Sequence, residues 1–165
     1  MAPVLVKGAG AIRMLVVCPM RPSTPQKPRR PGGGGGGGGG RDGHVRSSDG
    51  RIDLDARIPK AMGGNGEGTN PEQLFAAGYS ACFLSALNLV ARIAKVQLDP
   101  ATSITAKVGI SKTPEGGFDL SAELDGYLPG LSQEVADDLL EQAHEVCPYS
   151  NATRGNIEVT VKARV

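Results

Sequence analysis

The stretch from Leu74 to Ala91 carries no formal charge, and a helix built from it must leave water along most of its length. Its start is marked residue by residue. Asn70 can cap, Pro71 fits the first helical position, Glu72 favours the positive end of the dipole, and Gln73 three residues past the cap completes a near capping box. The pattern predicts a helix from Asn70 to about Lys95, roughly 37 Å long at about 1.5 Å per residue. By length alone the uncharged run reaches the lower limit for a membrane span. Gly78, Ser80, Ser85 and Asn88 dilute it and Arg92 follows directly, so a buried or subunit-interface helix is expected, with no membrane partner. Such a helix is longer than a small domain needs for itself, which points to packing against a second copy.

Residues 1–39 differ from the rest. Pro19 to Pro31 is rich in proline and base, and Gly32 to Gly40 is unbroken glycine. Side chains of this kind cannot offset the entropy of ordering them, so a disordered low-complexity extension is expected, although Val4-Leu5-Val6 and Ile12 to Val17 can each pair as a short strand. The glycines are no phosphate loop, because no Gly-Lys-Ser/Thr follows. One domain over residues 40–165 remains. The 18 Lys+Arg and 17 Asp+Glu leave a net charge of +1, with both signs interspersed after Arg41, which excludes an evident nucleic-acid groove. Three cysteines are an odd number and suggest a reducing cytoplasm rather than a disulfide framework.

Alternation sets the remaining elements. His44 to Ser48, the turn Asp49-Gly50, and Ile52, Leu54, Ala56 and Ile58 between charged residues predict a hairpin with one wet face. Ile104, Ala106, Val108 and Ile110, then Phe118, Leu120, Ala122 and Leu124, predict a second, with Asp119, Glu123 and Asp125 facing solvent. Ser132 caps a helix carrying Val135, Leu139, Ala143 and Val146, which Pro148 stops. Ile157 to Val165 alternates as a last strand. The order strand, strand, long helix, strand, strand, helix, strand, with antiparallel hairpins covered by helices, is an α+β domain.

Two cysteines fall inside this domain, Cys82 in the long helix and Cys147 before Pro148. A cysteine attacks as thiolate, and Cys147 at a helix carboxyl end is poorly placed to hold negative charge. Cys82 is therefore the better nucleophile and Cys147 the better resolving thiol. Two core cysteines filling space remain the bland alternative. Arg41, followed at once by Asp42-Gly43, is the candidate cation, and Glu72 can orient it through a bidentate pair. Helical rise puts Glu72 about 15 Å from Cys82, so both reach one arginine only if the helix start is distorted or Glu72 comes from a partner subunit. His144 invites a Cys-His protease assignment, but no oxyanion donors are indicated and the second thiol would be idle. The His and Cys positions do not make up the two short-spaced ligand pairs of a zinc site, so no metal and no cofactor are expected.

The words Gly40-Arg41-Asp42-Gly43, Thr69 through Phe83 (TNPEQLFAAGYSACF), Val108-Gly109-Ile110, and Val146 through Asn156 (VCPYSNATRGN) closely resemble the bacterial organic hydroperoxide resistance proteins, the Ohr subfamily of the OsmC/Ohr family. The resemblance spans residues 40–165. It implies an OsmC-like α+β fold, with antiparallel sheets packed around long central helices in an intertwined homodimer. It further implies a thiol peroxidase acting on organic hydroperoxides, fatty-acid hydroperoxides included, with Cys82 as peroxidatic and Cys147 as resolving cysteine. Arg41 and Glu72 match the polar partners of the reactive thiol, and a lipoylated protein or dihydrolipoamide is the implied reductant. Phe75, Phe83 and Leu84 would favour a greasy substrate. The osmotically induced branch of the same superfamily and a non-enzymatic thiol redox sensor are the competing assignments. The chain departs from the family at its front, where residues 1–39 stand in place of the usual Thr/Ala-rich strand.

Overall fold

The computed structural model describes residues 4–7 and 42–165, which fall into two compact units, residues 4–7 with 71–165 and residues 42–70. The larger unit contains a four-stranded sheet in the order β1-β4-β5-β6, made of Val4–Lys7, Ser103–Lys112, Phe118–Tyr127 and Glu158–Arg164. Helices α1 (Pro71–Ile93), α2 (Gln133–Val146) and α3 (Pro148–Thr153) complete it. The smaller unit is the hairpin β2 (Gly43–Arg46) and β3 (Asp53–Ala56), followed by a 3-10 turn at Lys60–Met62. Val4 to Lys7 pair antiparallel with Ala106 to Ser103, so the short apolar run near the start of the chain occupies the edge of the sheet beside β4. The strand considered over Ile12 to Val17, the rest of the extension and Cys18 lie outside the described residues.

The long helix begins where its capping residues place it and ends at Ile93, with Lys95 at a φ of 57° and the Val96 N–H returning to the Ala91 carbonyl at 2.9 Å. That left-handed residue closes the helix in the manner of a Schellman turn. α1 is long and apolar enough to cross a membrane by length and composition, and half of its most apolar window is buried inside the fold. Tyr79, Phe83, Leu87 and Val90 recur at helical spacing and are all buried. They meet Ile104, Ala106 and Val108 of β4, Ala122 and Leu124 of β5, and Leu139, Leu140 and Ala143 of α2 in one core. Burying each large side chain contributes about 1.5–3 kcal/mol before entropy is charged against it. The second hairpin outruns this core, because Ile110 and Leu120 are half-buried and Phe118 is exposed.

Two sequence expectations need correction. The face of α2 that meets the core is Ala136, Leu139, Leu140 and Ala143, an i, i+3, i+4, i+7 set, and Val135 and Val146 are exposed. Ser132 does cap that helix, accepting from the Val135 N–H at 3.4 Å. Second, the sheet is mixed. β4 and β5 form the expected antiparallel hairpin, but β6 lies parallel to β5, with Ala122 beside Val159 and Leu124 beside Val161. A helical crossover returns the chain to the same end of the sheet, and parallel pairing follows from that. In the smaller unit Ala56 alone of the predicted apolar alternation is buried, while Ile52 and Leu54 are exposed.

Gly126 lets α2 close on the sheet: a Cβ there would lie 2.7 Å from Leu140 Cδ1 and 3.1 Å from Leu128 Cδ1. Both leucines are buried, so neither has free space to move into. Gly126→Ala is expected to cost about 1–3 kcal/mol through overpacking, measured by urea unfolding. A variant as stable as the parent would mean that α2 does not depend on this close approach.

Candidate active site

Cys82 lies in the middle of α1 and Cys147 at the junction of α2 and α3, and the fold brings their sulfurs to 3.7 Å. Both are free thiols, Cys147 fully buried and Cys82 half-buried. The junction is held by backbone hydrogen bonds on both sides. Cys147 caps the end of α2, its N–H bonded to the Ala143 carbonyl at 2.9 Å, and it precedes Pro148 at the first position of α3, its own carbonyl accepting from the Asn151 N–H at 2.9 Å. Pro148 thus starts a new helix rather than merely stopping the old one, because its fixed φ and missing N–H suit that position.

The turn is tied to α1 by hydroxyl groups that sequence reasoning did not single out. Tyr79 Oη lies 3.0 Å from Ser150 Oγ and 3.3 Å from Thr153 Oγ1, and all three residues are buried. Thr153 Oγ1 in turn donates to the carbonyls of Tyr149 at 2.9 Å and Ser150 at 3.1 Å. One arrangement of protons satisfies the set: Ser150 donates to Tyr79, Tyr79 to Thr153, and Thr153 to the backbone. Above this network Phe75, Tyr79 and Tyr149 pack ring against ring, with centroids 5.7–6.1 Å apart. A Cβ at Gly78 would lie 3.0 Å from the Tyr149 hydroxyl, so that ring rests directly on α1. From sequence, Tyr79 looks like one more core aromatic.

Charge at Cys82 follows from these neighbours. Burial pushes the Cys82 thiol above its ordinary value, the main-chain N–H of Tyr149 pulls it part of the way back, and the adjacent Cys147 raises it further. A thiol held up in this way needs a cation to attack as thiolate. The cation expected for that task, Arg41, lies outside the described residues. Glu72 occupies the first turn of α1 and is 5% exposed. Because α1 is an unbroken helix from Pro71, rise alone separates Glu72 from Cys82 by about 15 Å, and the option of a distorted helix start is removed.

Phe83 and Leu84 are sealed in the core, whereas Phe75 is half-buried and Tyr149 exposed. His144 lies against Phe83 at 6.4 Å between ring centroids. Burial first, and then the neighbouring Arg154, lower its pKa. Its Nδ1 is buried without a hydrogen-bond partner among the described residues, which gives no support to a Cys-His pair. Arg154 shapes the turn, donating to Asn151 Oδ1 at 2.9 Å and the His144 carbonyl at 3.0 Å. Among the described residues no group of three His, Cys, Asp or Glu side chains is arranged to hold a metal ion.

Comparison with known proteins agrees with this arrangement. Residues 64–162 match the family model described as OsmC-like protein. The chain belongs to the OsmC/Ohr family. An organic hydroperoxide resistance protein of Xanthomonas axonopodis pv. citri is 50% identical over 122 residues, covering 73% of this chain and 85% of the relative. A crystal structure of an organic hydroperoxide resistance protein from Elizabethkingia anophelis matches with a TM-score of 0.71 and 56% identity, over 76% of this chain and 89% of that one. The structure of OhrB from Bacillus subtilis matches with a TM-score of 0.69 and 44% identity, over 76% and 93% respectively. The α+β fold expected of an OsmC/Ohr chain is therefore observed, and the names of these relatives imply peroxide detoxification.

Cys147→Ser removes the neighbouring thiol that raises Cys82, so alkylation of Cys82 by iodoacetamide is expected to reach its midpoint at lower pH than in the parent. Mass spectrometry of quenched samples across a pH series reads the midpoint. An unchanged or higher value would contradict the electrostatic account of the pair.

Proposed function

We propose that this chain is a thiol peroxidase that reduces organic hydroperoxides, of alkyl, aryl and fatty-acid type, to the corresponding alcohols. The observation that carries the proposal is the 3.7 Å approach of the Cys82 and Cys147 sulfurs. The Cys82 thiolate attacks the distal peroxide oxygen, the O–O bond breaks, and the leaving alkoxide takes a proton to become alcohol. Cys82 is left as a sulfenic acid. Cys147 then attacks that sulfur, water departs, and a disulfide forms within one chain. The sulfurs need only approach from 3.7 Å to a bonding distance of about 2.05 Å, a move within reach of side-chain rotation.

The remaining roles are assigned from chemistry and family. Arg41 stabilises the Cys82 thiolate and the charge appearing on the departing oxygen, offsetting the burial that raises the thiol. Glu72 orients that guanidinium, and the unbroken first turn of α1 favours its delivery from the second subunit of a homodimer. Leu89 and Ile93 on α1 leave apolar surface exposed for such an association. Phe75 and Tyr149 offer apolar surface beside the thiols, which suits a hydroperoxide bearing a hydrocarbon group better than hydrogen peroxide. A dihydrolipoyl dithiol, free or on a lipoylated protein, reduces the disulfide by exchange and becomes the cyclic lipoyl disulfide. Reduced cysteines of this kind belong in the cytoplasm.

Turnover of cumene hydroperoxide and hydrogen peroxide with dihydrolipoamide tests the assignment directly. Faster consumption of the organic peroxide is expected, with Cys82→Ser at the uncatalysed rate. Cys147→Ser is expected to form a sulfenic acid that dimedone traps, without sustained turnover, and Arg41→Ala to slow the first oxidation by at least about tenfold. Full activity in Cys82→Ser would reject the mechanism. Stoichiometric oxidation without lipoyl-dependent turnover would instead describe a redox sensor.

A further inference from the structure

The hydroxyl cluster beneath the thiols has no part in the chemistry just described, yet it is the connection between the two segments that carry the sulfurs. Tyr79 sits on α1 one turn before Cys82. Its buried hydroxyl reaches Ser150 and Thr153 on α3, the helix that begins immediately after Cys147. Thr153 relays the contact to the carbonyls of Tyr149 and Ser150, so the backbone beside Cys147 is held by a chain of hydrogen bonds that starts on the helix of Cys82. Ring packing of Tyr149 on Tyr79 and Phe75 and the close seat over Gly78 add to the same joint.

We propose that Tyr79 is a positioning residue for the resolving step: its hydroxyl holds Cys147 within reach of Cys82, and so decides how the Cys82 sulfenic acid divides between disulfide formation and further oxidation. This rests on the peroxidase function proposed above. Two reactions compete for the sulfenic acid. In one, the Cys147 thiolate attacks the Cys82 sulfur, and hydroxide leaves and takes a proton to become water. In the other, a second hydroperoxide transfers its distal oxygen, giving the sulfinic acid and one more alcohol. The first reaction is intramolecular, and its rate depends on how often the sulfurs meet in an attacking geometry. The second does not depend on Cys147.

Three features make the hydroxyl, rather than the ring, the determinant. The ring of Tyr79 is buried in the core among Phe83, Leu87 and the sheet, and phenylalanine would keep that packing. The hydroxyl is the sole described side-chain link from α1 to both Ser150 and Thr153. Its removal leaves Ser150 Oγ buried without its phenolic partner, and an unpaired buried hydroxyl favours local opening of the turn that bears Cys147.

Tyr79→Phe provides the test. Reduced protein is exposed to rising cumene hydroperoxide without reductant, and intact-mass spectrometry gives the ratio of disulfide to sulfinic acid. That ratio does not depend on how fast the sulfenic acid forms, so any effect of the variant on the Cys82 thiolate cancels. The ratio is expected to fall about threefold to tenfold, the size of one lost buried hydrogen bond. Ser150→Ala is expected to lower it in the same direction, and the double variant to be no worse than the poorer single one, as befits one shared bond. A structural role alone would lower the unfolding temperature and leave the ratio untouched, and a ratio within twofold of the parent in Tyr79→Phe overturns the proposal. If the parent protein forms no sulfenic acid with the hydroperoxide, the peroxidase function itself fails. Parent oxidation with an unchanged variant ratio rejects only the role of Tyr79.

Discussion

Two sulfurs separated by 65 positions in the chain lie 3.7 Å apart, and this depends on how α1 packs against α2 and α3. Nothing local in the sequence could bring them together. Cys82 is fixed by a helix whose buried face runs Tyr79, Phe83, Leu87 and Val90, and Cys147 by a helix whose buried face runs Ala136, Leu139, Leu140 and Ala143. Small residues at two points, Gly126 under Leu140 and Gly78 under Tyr149, let the layers close. The sheet supplies the floor, and the uncharged character of α1 is the sequence-level cause.

Packing that secures the pair also works against its chemistry. A sulfur withdrawn from water holds its proton, and in this fold burial outweighs the single main-chain N–H that Tyr149 directs at Cys82. The thiols therefore sit in an arrangement suited to joining but not, by themselves, to attacking. Under the proposed function a guanidinium would resolve the conflict without loosening the core, since it stays charged and offers fixed donors to both a thiolate and a departing oxygen. On that proposal the chemistry divides between a buried scaffold that sets distance and a long cationic side chain that sets charge.

Much of this was legible in the sequence, for identifiable reasons. Asn70-Pro71-Glu72-Gln73 marks the start of α1, and the alternation of Ile104 to Ile110 and Phe118 to Leu124 marks the β4-β5 hairpin, because capping and pleat act over a few residues. The face of α2 is legible only in part: Leu139 and Ala143 are buried as their spacing predicts, but Val135 and Val146, which outrank alanine in hydrophobicity, are exposed while Ala136 and Leu140 face the core. The parallel pairing of β6 was hidden for another reason: alternation tells which residues face the core and carries no strand direction. Cys82 and Cys147 stood out by chemistry. Their hydroxyl support did not, since Tyr79 reads as core and Ser150 and Thr153 as turn residues, 71 and 74 positions away.

A resolving cysteine on a free loop would sample many positions, and few of them would face its partner. Here Cys147 ends one helix and begins the next, with its N–H held by Ala143 and its carbonyl by Asn151. Little backbone entropy would then be lost in reaching the proposed disulfide, and only the last 1–2 Å or so would come from side-chain rotation and small shifts. In the proposed mechanism such a junction would favour resolution only while it stays aimed at α1. A stiff segment aimed slightly wrong is worse than a loose one, and on that proposal the buried contact from α1 to Ser150 and Thr153 would matter more than its modest energy implies.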